Sequence, residues 1–188
     1  MEQRTYSAKA TEILDAAERH MRSGGFDAVS FRDLAAEVGI KSASVHYHFP
    51  QKVDLGEAVV RRYTDRVMAV LAAPDDPSET ITDRIERLCM VYRSAVLDDG
   101  KICLCCVLGA ETLDLPEPVA DAVGAYFKRL LGWVDMALGT APDHAEDHKQ
   151  RATQIVASLQ GAMILALALK QQSLLTETAD RILAQLPS

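Results

Sequence analysis

Apolar residues recur every three or four positions along almost the whole chain, the period of a helix buried on one face. Ile13, Leu14, Ala17 and Met21 set the pattern first and predict a helix from Thr5 to Gly24, which Gly24-Gly25 ends. Phe26 and Val29 follow as core anchors. Leu34, Ala35 and Val38 carry a second, shorter stripe. Ser30 precedes it as an N-cap with Asp33 three residues on, and Gly39 supplies the left-handed residue that closes it. A third helix is expected from Lys41 to about His48, with Val45 and Phe49 on one face and Pro50 as its stop. From Gln51 to about Ala73 a longer helix turns Val53, Val60, Tyr63, Val67 and Leu71 inward, while Arg61, Arg62 and Arg66 form its solvated face. Asp75-Asp76-Pro77 is the linker after it.

The same period continues beyond. Ser78 to about Leu97 reads as a helix capped by Ser78, with Ile81, Ile85, Leu88, Cys89 and Tyr92 at core spacing, broken by Asp98-Asp99-Gly100. Cys103 to Leu113 is a short apolar helix, and the next runs from Pro116 to about Gly139. Pro142-Asp143, with Glu146 in a capping-box arrangement, opens one that continues to about Gln172, and Leu174 to Leu186 is the last. No stretch alternates as a strand would. The fold class is therefore all-α: a three-helix head over residues 1–50, then a helical body over 51–188 that begins with the connecting helix 51–73.

Two short helices joined by a glycine turn make a helix-turn-helix, whose second helix reads DNA. Between Lys41 and Lys52 there are two lysines, two histidines, two serines, a tyrosine and no acid. Phosphates require donors and positive charge, and base edges require short polar side chains. Lys41, Tyr47 and Lys52 are the candidates to grip phosphate, and Ser42, Ser44 and His46 to reach base edges. The overall charge of −7 has the wrong sign for DNA until it is divided. Residues 1–66 hold ten basic and ten acidic side chains, so the whole excess of acid lies in the second part. DNA is then tolerated at the head and repelled from the body.

The stretch GFDAVSFRDLAAEVGIKSASVHYHFPQKVDL resembles the DNA-binding domain of the TetR family of repressors. The family pattern is met at Ser30, Arg32, Asp33, Leu34, Ala35, Val38, Gly39, Ile40, Val45, His48, Phe49, Lys52 and Leu55. Lys41 stands where Ser is usual, Ala43 where Gly is, and His46 where Tyr is, so the neighbouring Tyr47 is the alternative source of a tyrosine–phosphate contact. The resemblance covers about residues 6–66 and adds Ser30, Arg32 and His48 to the DNA-binding set. It also implies that the first helix braces the other two, with Arg4 and Lys9 near phosphate or simply solvated. A ligand-responsive repressor is implied, a homodimer on an inverted-repeat operator of double-stranded DNA, paired through the last two helices at about 150–186. The run Ile155 to Leu169, too apolar for a helix exposed on one side, suits such a pairing, although a helix buried within one chain looks alike. Small residues within it, Gly161, Ala162, Ala166 and Ala168, let another helix approach closely.

A body of this family binds a small effector. Leu88, Tyr92, Tyr126, Phe127, Trp133 and Met163 are the candidate cavity residues, and they equally suit plain core. The absence of a basic cluster among them favours an apolar or weakly polar effector. In KICLCCVLGAE, Cys103 stands at a helix start beside Lys101, where partial positive charge favours thiolate, and Cys106 shares its face. The stretch resembles a branch of the family with a Cys-Leu motif, some of whose members answer electrophiles, so Cys103 and Cys106 join the effector set. Buried cysteine also serves as a small hydrophobe. His144 and His148 lie four apart beside Asp143 and Asp147, a spacing that can ligate metal, but two histidines at a polar helix start are ordinarily solvated. No metal or other cofactor is expected. A thiol enzyme of transfer or redox type is the alternative. It would need a nucleophile, base and orienting group, and Cys103 has no evident histidine partner. Four cysteines without a secreted pattern read as free thiols, and nothing approaches eighteen uninterrupted apolar residues, so the expected location is cytoplasmic.

Overall fold

A computed structural model of the chain describes residues 6–98, 100–139 and 145–186, the side chains of 145–147 apart. Arg4, Asp99, the Pro142–Asp143 helix start with Glu146, and His144 with Asp147 lie outside what it describes. Among the described residues every regular element is helical: α1 (Ala8–Gly24), the single 3-10 turn Phe26–Ala28, α2 (Phe31–Val38), α3 (Ser42–His48), α4 (Lys52–Leu71), α5 (Ile81–Leu97), α6 (Leu104–Ala110), α7 (Glu117–Ala137), α8 (Ala145–Ala168) and α9 (Ser173–Ala184). The chain divides into two compact units. One comprises Met1–Tyr63 with Leu104–Gly124, and the other Thr64–Cys103 with Ala125–Ser188.

In the first unit, Ser7 starts α1 by accepting the Ala10 N–H at 3.2 Å. Ile13, Leu14, Ala16, Ala17 and Met21 then share one face and are wholly buried. Against this face pack α2, α3 and the 3-10 turn. Arg19 and His20 of α1 both reach Glu37 of α2, at 2.6 and 2.7 Å, and Arg62 of α4 pairs with Asp15. Arg62 is therefore no member of the solvated face. Its position allows it to cross to α1, whereas Arg61 pairs along its own helix with Glu57.

In the second unit α5, α8 and α9 pack together around Ile85, Leu88, Tyr92, Ile155, Leu159, Met163, Leu175 and Ala179. The cap of α5 is Thr80, not Ser78. Thr80 Oγ1 accepts the Asp83 N–H while Asp83 Oδ2 accepts the Thr80 N–H, and Ser78 is instead turned onto Asp76. A reciprocal box satisfies two free amides where a lone serine would satisfy one. Two helices end three or more residues earlier than the periodicity predicts. α6 stops at Ala110, where Glu111 and Thr112 fold into turns on Leu108 and Gly109. α8 stops at Ala168, because Lys170 adopts a left-handed φ of 55° and Gln171 N–H returns to Ala166 O at 2.9 Å.

Candidate nucleic-acid interface and effector site

The reading head is built from its turn outward. Ser30 Oγ accepts the Asp33 N–H at 3.4 Å and so begins α2. Gly39 ends it at φ 70°, ψ 36°, a conformation costly for any residue bearing a Cβ. There the Ile40 N–H closes onto Ala35 O at 2.9 Å, the six-to-one bond of a Schellman stop. The chain then reverses into α3, which Val45 and Phe49 anchor in the core. Anchoring one side of so short a helix leaves the other in water. Arg32, Lys41, Ser42, Ala43 and His46 are exposed, Ser30, Ser44 and His48 half-buried, and Tyr47 is 83% exposed. An 83% exposed aromatic is the largest hydrophobic side chain this unit leaves in water, and nothing in the unit's packing requires it there.

Two candidates are tied down more than periodicity suggests. His46 Nδ1 lies 3.3 Å from Pro50 O, and its ring stands edge-on to Phe31 at 4.7 Å. A carbonyl only accepts, so this contact places the proton on Nδ1 and leaves Nε2 of the neutral ring as an acceptor. Lys52 points its ammonium at Asp27 Oδ1, 3.4 Å away, and over the Phe26 ring at 4.6 Å from the centroid. Asp27 is fully exposed, so the pair is weak in water and exchangeable.

In the second unit, part of the predicted effector set converges. Cys103, 3% exposed, precedes α6 and lies with Sγ 3.5 Å from the Tyr126 hydroxyl, while its N–H points at Met163 Sδ at 3.3 Å. Phe127 stacks edge-on with Tyr126 at 5.2 Å. Tyr92 accepts from Gln160 Nε2 at 3.0 Å, and Gln160 is one helical turn before Met163 on α8. Gln160 escaped the sequence reading, because a lone amide in an apolar run carries no periodic signal. Its Oε1 is buried without a hydrogen-bond partner, an uncommon state for a native acceptor. Trp133 has other employment: its indole N–H donates to Ala72 O at 2.8 Å and closes the end of α4. Leu88 is wholly buried in the core. Cys106 is half-buried and belongs with α6 in the first unit, while Cys103 belongs to the second.

The other thiols are quieter. Burial raises the Cys89 thiol to about 11, and Cys105 is wholly enclosed. Among the described residues no three His, Cys, Asp or Glu side chains converge as metal ligands would. One described helical span, His148–Ala168, is long and apolar enough to cross a membrane by length and composition, and 44% of its apolar window is buried within the chain.

Residues 13–59 match the sequence profile of the bacterial regulatory proteins, tetR family. A transcriptional repressor of Rhodococcus jostii, KstR2, is 34% identical over 59 residues, which are 31% of this chain and 29% of that protein. Its Mycolicibacterium smegmatis counterpart is 30% identical over 80 residues, 40% of this chain and 39% of the relative. The matched stretch thus spans well under half of these curated relatives. Solved structures extend the likeness along the chain. A TetR transcriptional regulator from Legionella pneumophila superposes with a TM-score of 0.88 at 27% identity, covering 98% of this chain and all of that one. One from Agrobacterium tumefaciens does so at 0.86 and 26%, covering 96% and 98%. The profile falls on the helices that form the head, and the whole helical order has its counterpart in solved regulators. Residues 13–59 carry the DNA-binding domain of the TetR family of bacterial regulatory proteins, and the helical order of the chain is that of solved TetR regulators.

Proposed function

We propose that the chain is a homodimeric transcriptional repressor that holds an inverted-repeat operator and lets go when a small effector occupies its second unit. The observation that carries this reading is the outer face of α3, where Lys41, Ser42, His46 and Tyr47 stand in water with no acid between Lys41 and Lys52. Lys41 and Tyr47 suit phosphate. Lys52 joins them by exchanging the exposed Asp27 carboxylate for a phosphate, with Arg32 beside the groove. Ser42, Ser44 and the Nε2 of His46 suit base edges, and a neutral His46 accepts from cytosine N4 or adenine N6. The name of the KstR2 relatives, transcriptional repressor, supports the sign of regulation.

Pairing uses the outer face of α8. Gln154, Ala157, Gly161, Ile164, Leu165 and Ala168 follow one another at helical spacing, and all but the half-buried Gly161 are exposed. A Cβ added at Gly161 would meet nothing within 4 Å in its own chain, which leaves room for a second copy. Two identical heads match a twofold operator. The effector acts at Cys103, Tyr126, Met163, Tyr92 and Gln160, by binding one conformer better than the other. The Cys103 thiol beside a tyrosine hydroxyl favours a reading in which an electrophilic alkene adds there, the C–S bond forming as the alkene π bond breaks and the neighbouring carbon taking up the proton the thiol gives up.

The test selects a duplex from a random pool with the purified protein. Binding to that duplex is expected to exceed binding to random sequence and to fall steeply with salt. Lys41→Ala should weaken all duplexes alike, whereas Ser42→Ala should relax preference at one position of each half-site. A protein that selects no duplex refutes the reading. If a Cys103→Ser protein releases DNA with N-ethylmaleimide as readily as the parent, the thiol is no sensor.

A further inference from the structure

The corner between α1 and α2 is closed by a residue from far along the chain. Gly25 stands at φ 77° with its N–H on Met21 O at 2.9 Å, and the next N–H, of the buried Phe26, donates to Glu111 Oε2 at 3.0 Å. The carboxylate occupies the space a side chain at Gly25 would need. A Cβ built there lies 1.8 Å from Glu111 Oε1 and 2.5 Å from its Cδ. Glu111 is itself held by its backbone, donating to Leu108 O at 3.1 Å and accepting from the Asp114 and Leu115 N–H groups at 2.9 and 3.2 Å. Its side chain therefore leaves from a fixed point on the α6–α7 corner.

The Phe26 ring is confined as well. A Cβ at Gly56 of α4 would come within 2.7 Å of Phe26 Cε2 and 3.1 Å of Val119 Cγ2. The bare glycine at 56 is what lets α4 come this close to both Phe26 of the 3-10 turn and Val119 of α7. Only Val29 and Ser30 separate this turn from α2, and Val29 N–H closes onto Phe26 O at 3.3 Å. The departure of α2, and through the Gly39 turn the stance of α3, is set from Phe26.

We propose that Glu111 is a positioning residue for DNA recognition, its carboxylate holding the Phe26 amide so that α2 and α3 stand where the operator needs them. This rests on the DNA-binding reading above. The reading head then comprises the N-terminal helices together with the segment around α6 and the start of α7. A charged acceptor on a half-buried amide is the stronger kind of hydrogen bond. What its loss should change is specific recognition, which depends on where α3 stands, more than general attraction to phosphate, which depends on exposed charge.

The experiment uses the full chain and one duplex selected by the wild type. Glu111→Leu keeps the bulk and removes the acceptor. It is expected to bind the selected duplex about tenfold more weakly, about 1.4 kcal/mol, and random duplex within about twofold. Glu111→Gln keeps an acceptor oxygen and should stay within about threefold on both. Hydrogen exchange supplies the readout a general loss of stability would not: the Phe26 amide should exchange at least about tenfold faster in Glu111→Leu and stay protected in Glu111→Gln, with the α1 amides unchanged in both. If Glu111→Leu fails to fold, Glu111→Asp, which withdraws the carboxylate by one methylene, takes its place with the same expected directions. Selected-duplex affinity equal to wild type in the acceptor-less variant overturns the proposal. So does a folded Glu111→Gln that fails as badly as Glu111→Leu. A wild type that selects no duplex overturns the DNA-binding reading itself, which separates the two failures.

Discussion

In the proposed dimer, Leu165→Glu should break the pairing while leaving each chain folded. Ile164, Leu165 and, just past the end of α8, Leu169 are 43%, 53% and 62% exposed, so about half of each side chain lies in water. Fully burying such a side chain is worth about 1.5–3 kcal/mol, and the exposed halves about 1 kcal/mol each. Twofold symmetry counts every position twice, so these three residues offer about 6 kcal/mol toward pairing. A glutamate at 165 removes about 2 kcal/mol over the two copies and places two carboxylates in an apolar contact, where leaving a charge unpaired costs several kcal/mol more. A loss of at least about 4 kcal/mol raises the dimer dissociation constant about a thousandfold. Sedimentation velocity at micromolar protein is the assay, with circular dichroism to confirm that helix content is kept. Leu113, fully exposed on the α6–α7 corner, is the control, since Leu113→Glu should leave pairing intact. A Leu165→Glu protein that sediments as the wild type does, through the same dilution series, refutes the assignment of this face.

Gly39→Ala should destabilise the head by about 1 kcal/mol in chemical denaturation, because a Cβ is strained at φ 70° while nothing within 4 Å obstructs it; an unchanged midpoint would mean the turn can move. The Arg19 guanidinium, then His20, hold the Glu37 carboxyl below its ordinary range. The stability this contributes is present above about pH 4.3 and is lost as pH falls through the lowered value, so the melting difference between wild type and Glu37→Gln should shrink on acidification. A difference that stays constant from pH 7 to about pH 3 contradicts the pairing. With its thiol raised to about 11 by burial, Cys89 is about one part in a thousand thiolate at pH 8. Iodoacetamide should label half-buried Cys106 well before Cys89, as peptide mass spectrometry would show, and equal rates would argue against an enclosed Cys89.

Most of the helices were legible because each is short, amphipathic and punctuated. Ser30, Gly39 and Pro50 act through their own backbone and neighbours within four residues, so sequence alone placed α2, the turn and α3 almost to the residue. The exposed polar face of α3 was legible for the same reason, since Val45 and Phe49 can only face inward together. Local rules failed where two candidates competed, as when Thr80 with Asp83 out-bonded Ser78. They failed again where Lys170 stopped α8, because nothing in a polar stretch announces a left-handed residue.

Long-range partners were not legible. Arg62 looks solvated on its own helix until α1 brings Asp15 beside it. Lys52 looks free for phosphate until Asp27 and Phe26 arrive. Gln160 is unremarked in an apolar run until Tyr92 of α5 gives it a partner and leaves its carbonyl oxygen without one. Glu111 reads as the ordinary acidic end of a short helix until the fold carries it across eighty-five residues to the Phe26 amide. Helix periods and caps are decided within a turn or two of chain, and the sequence by itself determined them. Which side chains meet across helices depends on how packed faces settle against one another, and only the tertiary structure decided that.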